Sequence, residues 1–165
     1  MAVLLNQTSN LRARLDLLER LSDGSRAPAS LRMRLTVDRY QKPDFVPLLD
    51  VPAATLLDMD LIQFLQALEE LLDGRRQDAA FEASVDPAIG LRFTGGPEAY
   101  LVELGVDLLN VLQPVAGLQG ERGTDLVLYR FHANKRAAAA FCAALIEEFG
   151  EFPTDPGRVD PGEPS

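Results

Sequence analysis

Tryptophan is absent from this chain, and histidine and cysteine occur once each, as His132 and Cys142. A lone cysteine forms no internal disulfide. A zinc site usually draws on several Cys and His ligands, so none is expected. A histidine-based catalytic triad has His132 as its one possible base, and an incidental histidine near a strand end is the simpler reading. Cys142 lies next to Phe141 in helical sequence and reads as a small buried hydrophobe rather than a nucleophile. Without Trp, and with three Tyr, a carbohydrate-stacking groove has little to build on. No apolar run approaches the ~18 to 20 residues of a membrane span. The opening residues lack the basic flank of a signal peptide, so a cytoplasmic protein is expected. No cofactor and no catalytic residues are expected.

What the chain has in excess is negative charge, −9 over 165 residues, unevenly spread. Residues 1–50 carry eight Lys/Arg against six Asp/Glu, and residues 51–165 carry eight against nineteen. An acidic body repels nucleic acid and favours a basic partner. Solubility alone would also account for it.

Hydrophobic periodicity sets the expected elements. Leu11, Leu15, Leu18 and Leu21 fit an amphipathic helix over 10–22, started by Ser9 or Asn10 and ended at Asp23-Gly24. Leu31, Met33, Leu35 and Val37 alternate with polar residues, as a half-buried strand does. After a turn at 41–44, Pro47 and Pro52 confine 45–51 to an edge or to irregular structure. A helix is expected from Asp58 to Leu72, with Leu61, Phe64, Leu65, Leu68 and Leu72 buried. Residues 81–93 read as a hairpin. Residues 97–112 fit both periods and are read as a strand that completes a meander. A Gly-rich loop over 113–124 precedes a strand at 126–132 and a last helix capped by Asn134. The Pro/Gly-rich end, 152–165, is expected to be disordered. Phe64-x-x-Ala67-Leu68 recurs 77 positions later as Phe141-x-x-Ala144-Leu145. The echo suggests two helices docked alike on one sheet.

The resulting expectation is an α+β protein: a mainly antiparallel sheet of about five or six strands, with two or three helices packed mostly on one face. Residues 1–30 would be an N-terminal helix and linker, 31–151 a single domain, and 152–165 a tail.

Three sets of residues are candidates for function. Glu69, Glu70 and Asp73 end one helix, and Glu147, Glu148 and Glu151 end the other. Acid at a helix C-terminus opposes the dipole, so these six are candidate partner contacts. Arg122, in the Gly-rich loop, is a further candidate. Arg12, Arg14, Arg20, Arg32, Arg34 and Arg39 are an alternative patch for single-stranded nucleic acid, with Tyr40 the one aromatic nearby. Asp58 and Asp60 read as helix caps. The 117–123 glycines lack a phosphate-binding pattern.

From about 54 to 152 the order of features resembles the WapI-type immunity proteins of bacteria. The shared features are Leu57-Asp58-Met59-Asp60, the Phe64-x-x-Ala67-Leu68 stripe, the 81–93 hairpin, and the closing strand and helix over 127–149. The resemblance implies a small acidic protein that neutralises a toxin domain by binding it. The expected function is therefore a non-enzymatic protein-binding module with a basic partner, acting as monomer or homodimer. A chaperone or adaptor that binds an extended segment, and nucleic-acid binding, are the alternatives.

Overall fold

The computed structural model describes residues 1–21, 29–82, 89–96, 98–107 and 126–150. The 113–124 loop and the 152–165 tail of the sequence reading lie outside these residues. The described chain is α+β, with eight strands and two helices in two similar halves. The first half is β1 (Ala2–Leu5), β2 (Leu11–Leu21), β3 (Ser30–Gln41) and β4 (Asp44–Leu57), then α1 (Asp58–Leu72). The second is β5 (Asp78–Glu82), β6 (Ile89–Thr94), β7 (Ala99–Asp107) and β8 (Leu126–Asn134), then α2 (Lys135–Gly150). Each set of strands is an antiparallel four-stranded sheet in simple meander order.

Two expectations are thereby corrected. The single sheet of five or six strands is two sheets of four. The N-terminal helix over 10–22 is strand β2, paired along β3. Its leucines fit a helical stripe, but Leu11-Arg12-Ala13-Arg14-Leu15-Asp16-Leu17 also alternates strictly. Pairing with β3 buries Ala13, Leu15 and Leu17 on one pleat, and the two-residue period wins because the sheet supplies the covered face. Ser9 and Asn10 belong to the β1–β2 turn, where Asn6 Oδ1 accepts from the Asn10 and Leu11 amides.

Other expectations stand. Residues 99–107 are a strand. β4 is an edge strand, longer than expected, with register shifts between Met33 and Leu35, where Pro52 falls out of register, and between Val37 and Asp38, next to Pro47. α1 ends in a Schellman turn: Gly74, at φ 75°, donates to Leu71 O, and Arg75 donates to Glu70 O. α2 is capped by Asn134, whose Oδ1 accepts from the Ala137 amide at 2.8 Å.

The repeated motif marks a longer equivalence. A shift of 77 residues carries 57–72 onto 134–149 and Ala2–Leu5 onto 79–82, with β6 inside the shifted β2. β3 and β7 break the shift. The helices are not docked on one sheet as the echo suggested: α1 packs mainly on β5, and α2 mainly on β1. Each half therefore lends its helix to the first strand of the other. Both sheets and both helices contribute to one buried apolar cluster. At its centre Phe93 of β6 lies 6.2 Å from Phe64 and 6.0 Å from Phe141, ring centre to ring centre.

Phe93→Ala should cost about 3–5 kcal/mol, as expected for a fully buried aromatic. Leu128→Ala, at an exposed position of β8, should stay within about 0.5 kcal/mol. Urea unfolding of the two variants measures both.

Candidate binding surface

The six arginines do not form one patch. Arg12, Arg14, Arg32 and Arg34 share the outer pleat of the first sheet, as the β2–β3 register requires. Arg39 lies on the opposite pleat, across from Leu11. Arg20 follows the register shift after Leu17 and faces inward. Five of the six are ion-paired within the chain. Asp38, 2% exposed, accepts from Arg12 Nε at 2.9 Å. Arg14 Nε lies 3.1 Å from the same carboxylate oxygen, close enough to pair but not aligned as a hydrogen bond. Arg34 Nε donates to Asp50 at 2.9 Å, which raises the Arg34 pKa and lowers that of Asp50. Arg32 pairs with Glu19 and Arg20 with Asp58. The Arg12 guanidinium also stacks 4.1 Å above Phe45, which meets Tyr40 edge-on. The basic excess of the N-terminal third is largely consumed in holding its own sheet.

The carboxylates divide as well. Glu148 is a staple: Oε1 accepts from the Leu17 amide at 2.7 Å, and Oε2 lies 2.7 Å from the Met1 amino group. It extends the edge of β2 past the first residue of β1, since Ala2 pairs with Leu15. Asp73 pairs with Arg75, and Glu70 with Arg76. Glu69 and Glu147 are exposed. Glu151 and Arg122 lie outside the described residues. Of the two proposed caps, Asp60 accepts from the Leu57 amide at 3.2 Å, while Asp58 is buried on Arg20. Arg20 also lies 5.8 Å from the Phe149 ring, so the end of α2 sits beside the start of α1. The acidic ends of the two helices are thus separated by about the length of α1, ~22 Å.

His132 and Cys142 do not come together. His132 is exposed on β8, where its carbonyl accepts from the Gln7 amide at 2.8 Å. Cys142 is buried, and burial, with a smaller contribution from the Glu69 charge, pushes its thiol up to about 11. Among the described residues, no group of three or more His, Cys, Asp or Glu side chains is placed to hold a metal ion. No helix there is long and apolar enough to cross a membrane.

The sequence reading passed over the outer face of the helix pair. Phe64 and Phe141 approach the same ring, so both helices turn their Phe-bearing sides to β6 and their backs to solvent. On α1 the exposed positions are Met59, Ile62, Gln63, Gln66 and Glu69; on α2 they include Lys135, Arg136, Ala139, Ala140, Ala143, Ile146 and Glu147. Met59 is 49% exposed, Ile62 36% and Ile146 41%. Solvent faces of surface helices are normally rich in charge; here the exposed charges are Glu69, Glu147 and, at the start of α2, Lys135 and Arg136, with none from Ala137 to Ile146. The signal was legible as the run Ala137–Ala140, which leaves the last helix no polar stripe in its middle turns. No family model, curated protein or solved structure matches the chain.

Two measurements follow. Glu148→Ala strands the Leu17 amide and should cost about 1–3 kcal/mol, read by urea unfolding. For Cys142 the folded state holds the proton more tightly than the unfolded state, whose thiol titrates near ~8.5. The thiol's contribution is therefore complete below that pH and is lost as pH rises through about 11. Tyr100, raised by burial, adds to the same alkaline loss. Native Cys142 should resist thiol reagents at neutral pH and react at once in denaturant.

Proposed function

We propose that the protein is a non-enzymatic binding module for a basic protein, an immunity-like inhibitor of a basic toxin or effector domain. The observation that carries this reading is the fate of the charges. Arg12, Arg14, Arg20, Arg32 and Arg34 are bound to the chain's own carboxylates, whereas Glu69 and Glu147 stand exposed on a chain of net charge −9. Such a field attracts a cationic partner and speeds encounter with it. The resemblance to WapI-type immunity proteins over 54–152 points the same way. Nucleic acid is disfavoured, because each internal ion pair would have to be exchanged for a phosphate contact.

A chaperone-like reading has one observation in its favour. β8 is an edge strand without proline, unlike β4, and an extended segment can pair with such an edge. Gln7 already occupies its His132 carbonyl, so the charge-based reading is preferred.

The test is affinity capture by the full chain from a lysate of the source cell at low and high salt, with mass identification. A basic protein retained at low salt and whose activity the chain inhibits is the expected result. Capture of nucleic acid, or of no cationic protein, would sink the proposal.

A further inference from the structure

We infer that the open edge of β8 is a contact between two copies of this chain, paired antiparallel so that two four-stranded sheets become one. The contact is independent of the basic-partner reading and uses a different surface. Edge strands invite pairing unless something blunts them. β1 and β5 are four and five residues long, and each packs against a helix. β4 carries Pro47 and Pro52 and two register shifts. β8 runs nine residues without proline and pairs with β7 without a shift. The Gln7 amide reaches the His132 carbonyl from outside the sheet. His132 therefore turns its backbone groups away from β7, and by the two-residue period so do Arg130, Leu128 and Leu126. Among the described residues, nothing bonds the outward backbone groups of those three.

Register and charge select a second copy. Gln7 closes the edge at His132 and leaves Leu126 to Arg130 open. A two-fold axis beside Leu128 pairs that stretch with itself, Leu126 against Arg130 and Leu128 against Leu128, and touches no occupied group. Each such pair exchanges two backbone bonds, ~6 in all. Leu128, 43% exposed on the outer pleat, then meets its equivalent. Residues 126–146 hold Arg130, Lys135 and Arg136 and no carboxylate. No acid of β8 therefore faces another across the axis, and each Arg130 keeps its own Glu103. An extended segment of another protein would have to be ordered residue by residue. In a second copy β8 is already held in place by β7. The area buried stays below the ~1,200 Å² of a standard interface, so the dimer is weak and reversible.

The full chain is followed by sedimentation equilibrium from ~10 µM to ~1 mM, at low and high salt, with amide NMR on the same samples. Dimer should appear toward ~1 mM and rise with salt, because screening relieves the repulsion of two chains of charge −9. Binding of a basic partner has the opposite salt dependence, so the two readings fail separately. Amide shifts should concentrate at residues 126–130. Leu128→Lys sets like charges across the axis, and Leu128→Pro removes an amide that faces outward rather than toward β7. Each should weaken the dimer at least ~10-fold, and Ile62→Ser should leave it unchanged. Leu128 and Ile62 are exposed, so the lysine and serine variants keep the fold, and circular dichroism verifies it. A chain that stays monomeric at ~1 mM in high salt overturns the inference. So does a dimer that both Leu128 variants retain, or one whose shifts lie on the helices. An added extended peptide that pairs at 126–130 of a monomeric chain would make a foreign strand the occupant and overturn it as well.

Discussion

The contact on which the rest of the molecule depends is the grip of Phe64 and Phe141 on Phe93. Three rings from two helices and one strand meet within 6.2 Å of a common centre. Neither sheet is covered by its own half alone: α1 lies mainly on β5 and α2 mainly on β1. The shared ring is where the exchange closes. Because one buried cluster runs through every element, the two meanders behave as one cooperative core rather than two small ones. The polar ties lie at its margins. Glu148 and Arg20 fix the end of α2 to β2 and to the start of α1, where an unpaired backbone amide or carboxylate would otherwise be stranded.

The outer surfaces follow from that arrangement. The first sheet faces solvent with its arginines matched to aspartate and glutamate, so its large basic content produces little external field. The second sheet carries a sparser set on the same side, Arg130 on Glu103 at 2.7 Å and Arg92 within 3.8 Å of Asp78. The helix pair is different in kind: between Lys135 and Arg136 at the start of α2 and the carboxylates Glu69 and Glu147, apolar and small side chains face out. Cross-strand pairing accounts for the sheets. Among the described residues, no internal contact accounts for the helix face.

Much of the fold was legible where periodicity and punctuation agreed. α1 has a clean stripe from Leu61 to Leu68 and a Gly74 stop; β3 alternates from Leu31 to Val37; Asn134 caps α2. β2 was not legible because its leucines satisfy two periods at once, and the choice between them belongs to β3. β1 is four residues long, too short to declare itself. The splitting into two sheets depends on which strands find edges, and no single segment encodes that. For the site, residue type gave the charges but not their partners. Glu147 and Glu148 are adjacent and chemically identical, yet one is exposed and the other is tied to Leu17 and Met1. The pairing of Arg12 and Arg14 with one buried Asp38 likewise comes from register rather than from spacing.

The exchange of helices also bears on the order in which the chain can fold. β1 and the outer edge of β2 wait for a helix that begins at Lys135, and the Leu17–Glu148 bond spans 131 residues. During synthesis the first meander leaves the ribosome with one edge bare and stays so until almost the last described turn has been made. α1 is ready early, but the strand it covers, β5, is not yet there. Contacts of this separation make folding slow, and the final helix becomes the latch on the whole chain. In vectorial terms, the two meanders are closed from α2 back to β1 and β2.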